Sequence, residues 1–142
     1  MAAHPFDVHE VRTIELPRHA RADGEIVIAE SFAAVPFAIS RLFTLRGPAG
    51  AERGEHAHRL CSQFMLCVHG AVDVICDDGR EPRPFRLDRG NLGLLVPPMI
   101  WNTVIFRRAD SVLIVLCDRG YEPDDYIRDR GEFLALRKVA LK

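Results

Sequence analysis

Short apolar runs separated by turn-forming residues constrain the fold of this chain more than any other feature. Turns such as RADG, RGPAG, DDG and DRG divide the runs at intervals close to the ~8–12 residues typical of all-β sandwiches and barrels. The sequence therefore predicts an all-β fold, a sandwich or jelly roll. The predicted strands lie within 25–30, 37–45, 63–76, 84–90, 91–97, 103–108 and 111–118.

Alternation of apolar and polar residues is clearest in AVDVICDDG, at residues 71–79. In an extended strand, successive side chains point to opposite faces. Val72, Val74 and Cys76 therefore share one face, while Asp73 and Ile75 share the other. We expect the first of these faces to be turned toward the core.

The pattern changes after Asp118, where YEPDDYIRDRGEFLALRK combines acidic capping residues with a helical spacing of apolar side chains. Phe133, Leu134 and Leu136 fit a short terminal helix, which we expect to pack across one end of the barrel. No repeat, low-complexity tract or linker interrupts the sequence, so we interpret residues 1–142 as a single domain.

The charge balance excludes two classes of partner. The 142 residues include 19 Lys or Arg and 20 Asp or Glu, which gives a net charge of -1. So small a charge provides no global field for nucleic acid or an anionic membrane.

No apolar run approaches the ~20 residues of a membrane span, and residues 1–16 lack the basic start and apolar core of a secretory leader. We therefore expect a cytoplasmic protein.

Four cysteines, Cys61, Cys67, Cys76 and Cys117, form no CxxC motif, and three of them lie inside apolar runs. This setting favours buried, reduced thiols over disulfides or a metal site.

The segment RGEHAHRLCSQFMLCVHG, at residues 53–70, carries the most chemical information. If residues 53–58 are extended, His56 and His58 point to the same side and share one pocket. A histidine near neutral pH can accept and donate a proton. Two of them in one pocket can remove a proton from one carbon and return one to its neighbour, which is an isomerisation.

Two other interpretations of this HxH motif stay open. Metal-binding cupins share the motif but add a Glu and a third His, whereas this chain has Gln63 and, in the late turn, Asn102. A metal centre would then need a further ligand such as His69 or Asn102, because catalytic zinc and non-haem iron normally take about three protein ligands. Alternatively, the two histidines are surface residues in a charged loop. We favour acid/base work and predict no catalytic metal.

Three blocks of the sequence, RGEHAHRLCSQFMLCVHGAVDVICDDG, GLLVPPMIW and YEPDDYIRDRGEF, resemble the WxcM-like nucleotide-sugar 3,4-ketoisomerases of the cupin superfamily. The resemblance covers roughly residues 25–136. It implies a cupin jelly roll, or double-stranded β-helix, with a short C-terminal helix. It also implies a homodimer that exchanges N-terminal strands. The implied reaction is metal-independent and needs no cofactor, and it moves the keto group of dTDP-4-keto-6-deoxyglucose from C4 to C3 through an enediol.

The same resemblance implies roles for individual residues. His56 and His58 match the two active-site histidines, one as the base for the C3 proton and the other as the group that serves C4. Arg53 would hold a diphosphate oxygen or a sugar hydroxyl through its planar donor fork. Asn102 stands where the family has a residue linked to product stereochemistry. The other expected substrate contacts are Gln63, Trp101, Thr44 and Arg46.

Two features of the resemblance concern tyrosine. Where the family has tyrosines before the HxH motif, this chain has Phe43 and Thr44. Asp125, Tyr126 and Arg128 match the family's terminal motif, which we interpret as fixing the closing segment against the barrel. The missing tyrosines leave two alternatives to the implied substrate: a related sugar, or a protein that binds sugar nucleotides without turnover.

Overall fold

Two five-stranded antiparallel sheets form this protein in a computed structural model that describes residues 6–140. Short 3₁₀ turns at Val8–Glu10 and Pro123–Asp125 lie among the strands. In chain order the elements are β1 (Arg12–Glu15), β2 (Arg18–Arg21), β3 (Gly24–Val27), β4 (Arg41–Leu45), β5 (Glu52–His58), β6 (Gln63–His69), β7 (Val72–Asp77), β8 (Pro82–Leu87), β9 (Leu92–Val96), β10 (Trp101–Phe106), β11 (Val112–Cys117), β12 (Tyr126–Ile127) and α1 (Arg130–Ala140).

The first sheet has the strand order β1-β9-β6-β11-β4, and the second has the order β12-β5-β10-β7-β8. Strands β2 and β3 form a separate two-stranded hairpin. The predictions of an all-β fold and of a short C-terminal helix are therefore confirmed. The expectation that no secretory leader is present concerns residues 1–16, of which residues 1–5 lie outside the described residues. Within the described part, no helix combines the length and hydropathy needed to cross a membrane.

The main core lies between the two sheets. Val72, Val74 and Cys76 of β7 are fully buried in it, as the alternation predicts, and Asp73 faces away and pairs with Arg86. Similar inward-facing residues from β6, β9, β10 and β11 complete this layer. Burial of such apolar surface is the main force that holds two sheets face to face.

Strand β6 lacks alternation because both of its faces are buried. Met65 and Cys67 point into the main core, whereas Phe64 and Leu66 belong to a second apolar cluster on the outer side of the first sheet. The chain between β3 and β4 covers that outer side with residues such as Val35. This covering explains why residues 37–40 are not a strand, although the sequence predicts one there.

Strands β1, β2, β5 and β12 lie outside the predicted runs. Residues 53–58 of β5 are extended, which is the condition under which the two histidines share a pocket. All four residues of β2 are exposed, so its sequence carries no apolar signal. Strand β12 has two residues, which is too short for any periodicity. The prediction that the cysteines are buried, by contrast, agrees with the structure for all four side chains.

Helix α1 packs against one end of the sandwich, as expected. Phe133 is fully buried there, together with Ala57 of β5 and Ile127 of β12. Leu134 and Leu136 pack against this cluster. The helix therefore holds β12 at the edge of the second sheet, next to the HxH motif.

Gly93 tests the close packing of the first sheet. A Cβ atom at this position would overlap the ring of Phe64, which lies over the glycine on the neighbouring strand. We expect Gly93→Ala to lower the free energy of unfolding by about 1–3 kcal/mol, the usual cost of overpacking. Urea unfolding measures this loss. Gly120→Ala is the control, because its Cβ would have no neighbour within 4 Å; equal stability of the two variants would contradict the packing described.

Candidate active site

A β-bulge in β5 shapes the wall of the candidate site. Asn102 of β10 pairs with His56, but the next residue, Thr103, pairs with Gly54, so that Glu55 is the extra residue. Gly54 and Glu55 have φ angles of 84° and 56°, both in the left-handed region. Bulges of this kind redirect side chains and are common next to active sites.

The consequence of the bulge concerns Arg53 and His56. Strict alternation places residues three positions apart on opposite faces of a strand. Because Glu55 is inserted between them, Arg53 and His56 both line the same cavity. After the bulge the strand is regular, and His58 follows His56 toward the interior. The prediction that His56 and His58 point to the same side of the strand depends only on this regular segment, residues 56–58.

The two imidazole rings lie against each other and against Tyr126. Their centroids are 5.0 Å apart, in an edge-on arrangement. The Tyr126 ring lies 5.1 Å from the His56 ring and 4.4 Å from the His58 ring. His58 is only 3% exposed. The interpretation of the HxH motif as a surface pair in a charged loop is therefore wrong.

Asp125 orients His58. Its Oδ2 lies 2.8 Å from His58 Nδ1, and both side chains are almost fully buried. Its Oδ1 accepts a hydrogen bond from the backbone N–H of Leu60 at 2.7 Å. A carboxylate can only accept, so Nδ1 of a neutral His58 carries the proton and Nε2 keeps its lone pair. The arrangement leaves Nε2 of His58 free to accept a proton.

Burial keeps both imidazoles neutral at pH 7. It lowers the pKa of His56 from 6.5 to about 4, and the nearby His58 and Arg128 act in the same direction. Burial also lowers the pKa of His58, although the hydrogen bond and charge of Asp125 oppose this effect. Neutral imidazoles are the forms able to accept a proton at one nitrogen and donate from the other.

A cavity of about 150 Å³ lies in front of this pair. Its lining comes from both sheets and from β12: Phe43, Leu45, Arg53, Gly54, His56, Gln63, Met65, Asn102, Val104, Val115, Tyr126 and Arg128. Three buried polar atoms around it, His56 Nδ1, His58 Nε2 and Gln63 Oε1, have no hydrogen-bond partner. Buried polar atoms normally have partners, so unpaired ones grouped at a cavity indicate a ligand site.

Four of the predicted site residues line this cavity: Arg53, His56, Gln63 and Asn102. His58 lies directly behind them, in ring contact with His56 and Tyr126. The side-chain amide of Asn102 also donates to the backbone oxygen of His56 at 3.5 Å, which joins β10 to β5.

Three predicted substrate contacts, Thr44, Arg46 and Trp101, lie outside the cavity. Thr44 is exposed between Phe43 and Leu45, which do line it, because alternate residues of β4 face opposite ways. Arg46 follows the strand and is also exposed. Trp101 lies on the outer face of β10, where its ring is 5.5 Å from that of Phe133 in α1. None of the three is therefore among the residues that line this cavity.

The ligand set suggested for a metal centre is assembled only in part, because Asn102 lines the cavity with His56 but His69 lies apart from them. His69 is exposed at the end of β6 and pairs with Asp110 at 3.1 Å. Within the described residues, the His, Cys and carboxylate group close enough to share an ion consists of His58, Cys61 and Asp125, without His56.

The terminal motif contributes more to the site than the sequence interpretation allows. Asp125 contacts His58, and Tyr126 and Arg128 line the cavity. The motif does fix the closing segment, since β12 pairs with β5, but it also supplies the tyrosine that β4 lacks. The match of these three residues to a family motif was the one sequence signal that they belong to the site. Sequence separation hid the contact, because Asp125 lies 67 residues from His58.

Arg41 is a second residue that sequence reasoning missed. Its Nη2 lies 3.5 Å from both the Tyr126 hydroxyl and Cys117 Sγ. The neighbouring Cys61 thiol and the Arg41 guanidinium lower the pKa of Cys117, against the effect of burial. A charged residue inside the apolar run FAISRLFTL was the signal that this part of the sheet meets a polar site.

This chain is similar to known proteins in both sequence and fold. The family model described as FdtA: WxcM-like, C-terminal matches residues 9–138. A TDP-4-oxo-6-deoxy-alpha-D-glucose-3,4-oxoisomerase from Aneurinibacillus thermoaerophilus is 33% identical over 108 residues, which are 75% of this chain and 78% of that protein.

Two solved structures share the fold. The sugar 3,4-ketoisomerase QdtA from Thermoanaerobacterium thermosaccharolyticum, solved in complex with TDP, superimposes with a TM-score of 0.90 at 24% identity over 95% of this chain and 99% of that one. A 3,4-ketoisomerase from Helicobacter canadensis gives a TM-score of 0.87 at 25% identity over 91% and 98% of the two chains.

The bulge offers a test of how the site is built. In Gly54→Ala the new Cβ would lie 3.0 Å from Asn102 Oδ1 and 3.1 Å from the Asn102 backbone oxygen. Gly50→Ala is a matched control, because Gly50 has almost the same φ of +85° and no neighbour within 4 Å. We expect both changes to cost about 1–2 kcal/mol of left-handed backbone strain. Gly54→Ala should cost more because it also displaces Asn102, and thermal unfolding measures the difference. Equal losses would mean that the bulge tolerates a side chain.

Proposed function

The chain belongs to the WxcM-like family that is described as FdtA, and from this membership we propose that it is a sugar-nucleotide 3,4-ketoisomerase. Its reaction moves the keto group of a dTDP-4-keto-6-deoxyhexose from C4 to C3. The observation that carries the proposal is the pair of neutral imidazoles, 5.0 Å apart, beside one cavity. The activity of the 33% identical relative supports the same conclusion.

His58 is the base in this proposal. The C4 carbonyl acidifies the hydrogen on C3, so an imidazole suffices to remove it. Nε2 of His58 is unprotonated because Asp125 holds the proton of the ring on Nδ1. The ring of His58 contacts the rings of His56 and Tyr126, both of which line the cavity, so a sugar bound against those two rings lies close to His58. Asp125 is the positioning residue.

His56 moves protons between the two oxygens. Its pKa of about 4 leaves the ring neutral, with an N–H that can donate to the C4 oxygen as negative charge develops there. The enediol that results has hydroxyls on C3 and C4. His56 then takes back a proton from the C3 hydroxyl, and protonated His58 returns the first proton to C4. The sequence of steps balances without an oxidant or reductant.

Tyr126 is a second donor near the reacting oxygens. Its ring touches both imidazoles, and its hydroxyl is 3.5 Å from the guanidinium of Arg41. The phenol therefore reaches the site from β12, although Phe43 and Thr44 stand where the family has tyrosines. This supports turnover over binding alone.

Other cavity residues suit the rest of the substrate. Arg53 and Arg128 are exposed at the cavity, where planar guanidinium forks can bind the two phosphates. The unpaired Oε1 of Gln63 can accept a hydrogen bond from a sugar hydroxyl. Asn102, buried beside His56, is placed to contact the sugar near the reacting carbons.

We also propose a cytoplasmic homodimer that exchanges N-terminal segments. The hairpin β2–β3 forms its own sheet and leaves Ile26 63% exposed, and Phe32 after it is 78% exposed. Large apolar side chains left in water favour a partner surface. The four unpaired cysteines suit a reducing compartment.

The reaction is tested by coupling. We expect the protein, incubated with dTDP-4-keto-6-deoxyglucose and a 3-aminotransferase, to yield a dTDP-3-amino sugar that chromatography and mass spectrometry identify. His58→Asn should abolish the product, whereas His69→Asn, which changes an exposed histidine outside the site, should not. No product from the unchanged protein, together with a rise in Tm on adding dTDP, would indicate a binding protein instead.

Asp125→Asn tests the role of the orienting carboxylate. The backbone N–H of Leu60 needs an oxygen acceptor, so the new amide turns its NH₂ toward His58 Nδ1. Nδ1 must then accept, and the ring proton moves to Nε2, the wrong tautomer for a base. We expect kcat to fall roughly 10³–10⁴-fold, as in other enzymes in which this change traps a histidine in the wrong tautomer.

The pH profile separates this effect from a structural one. Asp125 raises the pKa of His58 against the effect of burial, so its loss should move the acid limb of kcat/KM to lower pH. Asp118→Asn is the control. Like Asp125, Asp118 accepts a hydrogen bond from a backbone N–H that closely follows the HxH motif, that of Ser62 at 3.1 Å, but Asp118 has no histidine partner among its hydrogen bonds. If Asp125→Asn leaves kcat and the acid limb unchanged, His58 is not the base.

A further inference from the structure

A group of donors suited to a metal ion includes the proposed catalytic base, His58. One nitrogen of His58, Sγ of Cys61 and one carboxylate oxygen of Asp125 all lie within 4.8 Å of one another. Their residues are 3%, 1% and 5% exposed. The group combines nitrogen, sulfur and oxygen, the three donor types that zinc accepts.

Cys117 is the candidate for a fourth donor, although it lies outside this group of three. Its side chain is fully buried next to the Cys61 thiol. The two cysteines meet because Cys117 pairs with Gln63 across β11 and β6, which places Cys61 diagonally opposite, just before β6. The guanidinium of Arg41 lies 3.5 Å from Cys117 Sγ. A cation beside a sulfur favours the thiolate, the form that binds metals.

We propose that Cys61, Cys117, His58 and Asp125 bind a thiophilic divalent cation of the Zn²⁺ class. Four donors match the tetrahedral coordination of structural zinc. In such a site neighbouring donor atoms are about 3.3–3.8 Å apart, so His58, Cys61 and Asp125 need to move together by about 1 Å. Cys117 lies outside their group and needs to move farther to complete the site. Cys61 loses its thiol proton when the ion binds. Arg41 then offsets the excess negative charge of two thiolates and a carboxylate around one divalent ion.

This site differs from the metal centre of metal-binding cupins in both place and consequence. It excludes His56 and uses sulfur, so it lies behind the cavity and not in it. An ion held there would occupy both His58 and Asp125, the base and its positioning residue. Metal binding and turnover would therefore exclude each other. This inhibitory consequence rests on the proposed function, whereas the binding itself does not.

Co²⁺ provides a direct probe of the binding. In fully reduced protein, Co²⁺ bound through thiolates gives a sulfur-to-cobalt charge-transfer absorption in the near ultraviolet, which oxygen and nitrogen ligands alone do not give. We expect one Co²⁺ per chain with this absorption, and its displacement by Zn²⁺. Cys61→Ala and Cys117→Ala should each weaken Co²⁺ binding by at least about tenfold, since even the outer partners of metal ligands have effects of that size.

Cys67→Ala is the matched control. Cys67 is as buried as Cys61, but its thiol donates to the backbone oxygen of His69 at 3.2 Å, outside the donor group. This variant should bind Co²⁺ as the unchanged protein does. Both alanine changes in the site remove one sulfur atom from the interior, and the Tm of each variant shows whether it is folded. If one fails to fold, the other carries the test.

Several results would overturn the proposal. One is Co²⁺ binding without the charge-transfer absorption, and another is equal affinity in Cys61→Ala, Cys117→Ala and Cys67→Ala. A third is loss of the two thiols to a disulfide on mild peroxide treatment, with no metal binding in the reduced state.

An activity assay tests the consequence separately. We expect Zn²⁺ to inhibit the ketoisomerase reaction reversibly, with recovery on adding a chelator. Each cysteine variant of the site should resist Zn²⁺ relative to its own metal-free rate. Co²⁺ binding through thiolates with no inhibition would leave the site in place but overturn its effect on His58. If the enzyme assay shows no activity at all, the cobalt spectra still decide whether the site exists.

Discussion

The hydrogen bond between His58 and Asp125 connects the fold of this protein with its chemistry. It joins β5 to the segment that enters β12, two parts of the chain 67 residues apart. A buried carboxylate that is hydrogen-bonded to a neutral imidazole contributes little net stability, because the carboxylate loses its hydration. Its effect is on orientation: it fixes the tautomer of His58 and brings Tyr126 to both imidazoles. Apolar packing of Phe133 against Ala57 and Ile127 stabilises the same contact from behind.

The parts of this arrangement that follow from local periodicity could be predicted from the sequence. The alternation of Val72, Val74 and Cys76 identified an inward face, and the spacing of His56 and His58 put two imidazoles on one side of a strand. Both rest on the geometry of an extended chain. The same rule, applied to β4, excludes Thr44 once its neighbours Phe43 and Leu45 are known to face the cavity.

What could not be predicted depends on irregular backbone and distant contacts. The bulge at Glu55 changes which residues of β5 share a face, and a glycine beside it is only a weak signal for such a bulge. Asp125 reaches His58 through a 3₁₀ turn and a two-residue strand, neither of which has a periodic pattern. Trp101 was expected in the pocket because of a family match, yet its place on β10 turns it toward α1.

The neutral state of the histidines has a cost in acid solution. In the unfolded chain each would have a pKa near 6.5, whereas burial lowers that of His56 to about 4 in the folded protein. Between these values the unfolded state binds more protons, so the free energy of unfolding decreases as the pH falls from 6.5 toward 4. Above pH 6.5 neither state protonates the histidines appreciably, so the free energy of unfolding is no longer reduced by them. The burial that provides two uncharged imidazoles for proton transfer near neutral pH therefore also weakens the fold in acid, and both effects have the same origin in desolvation.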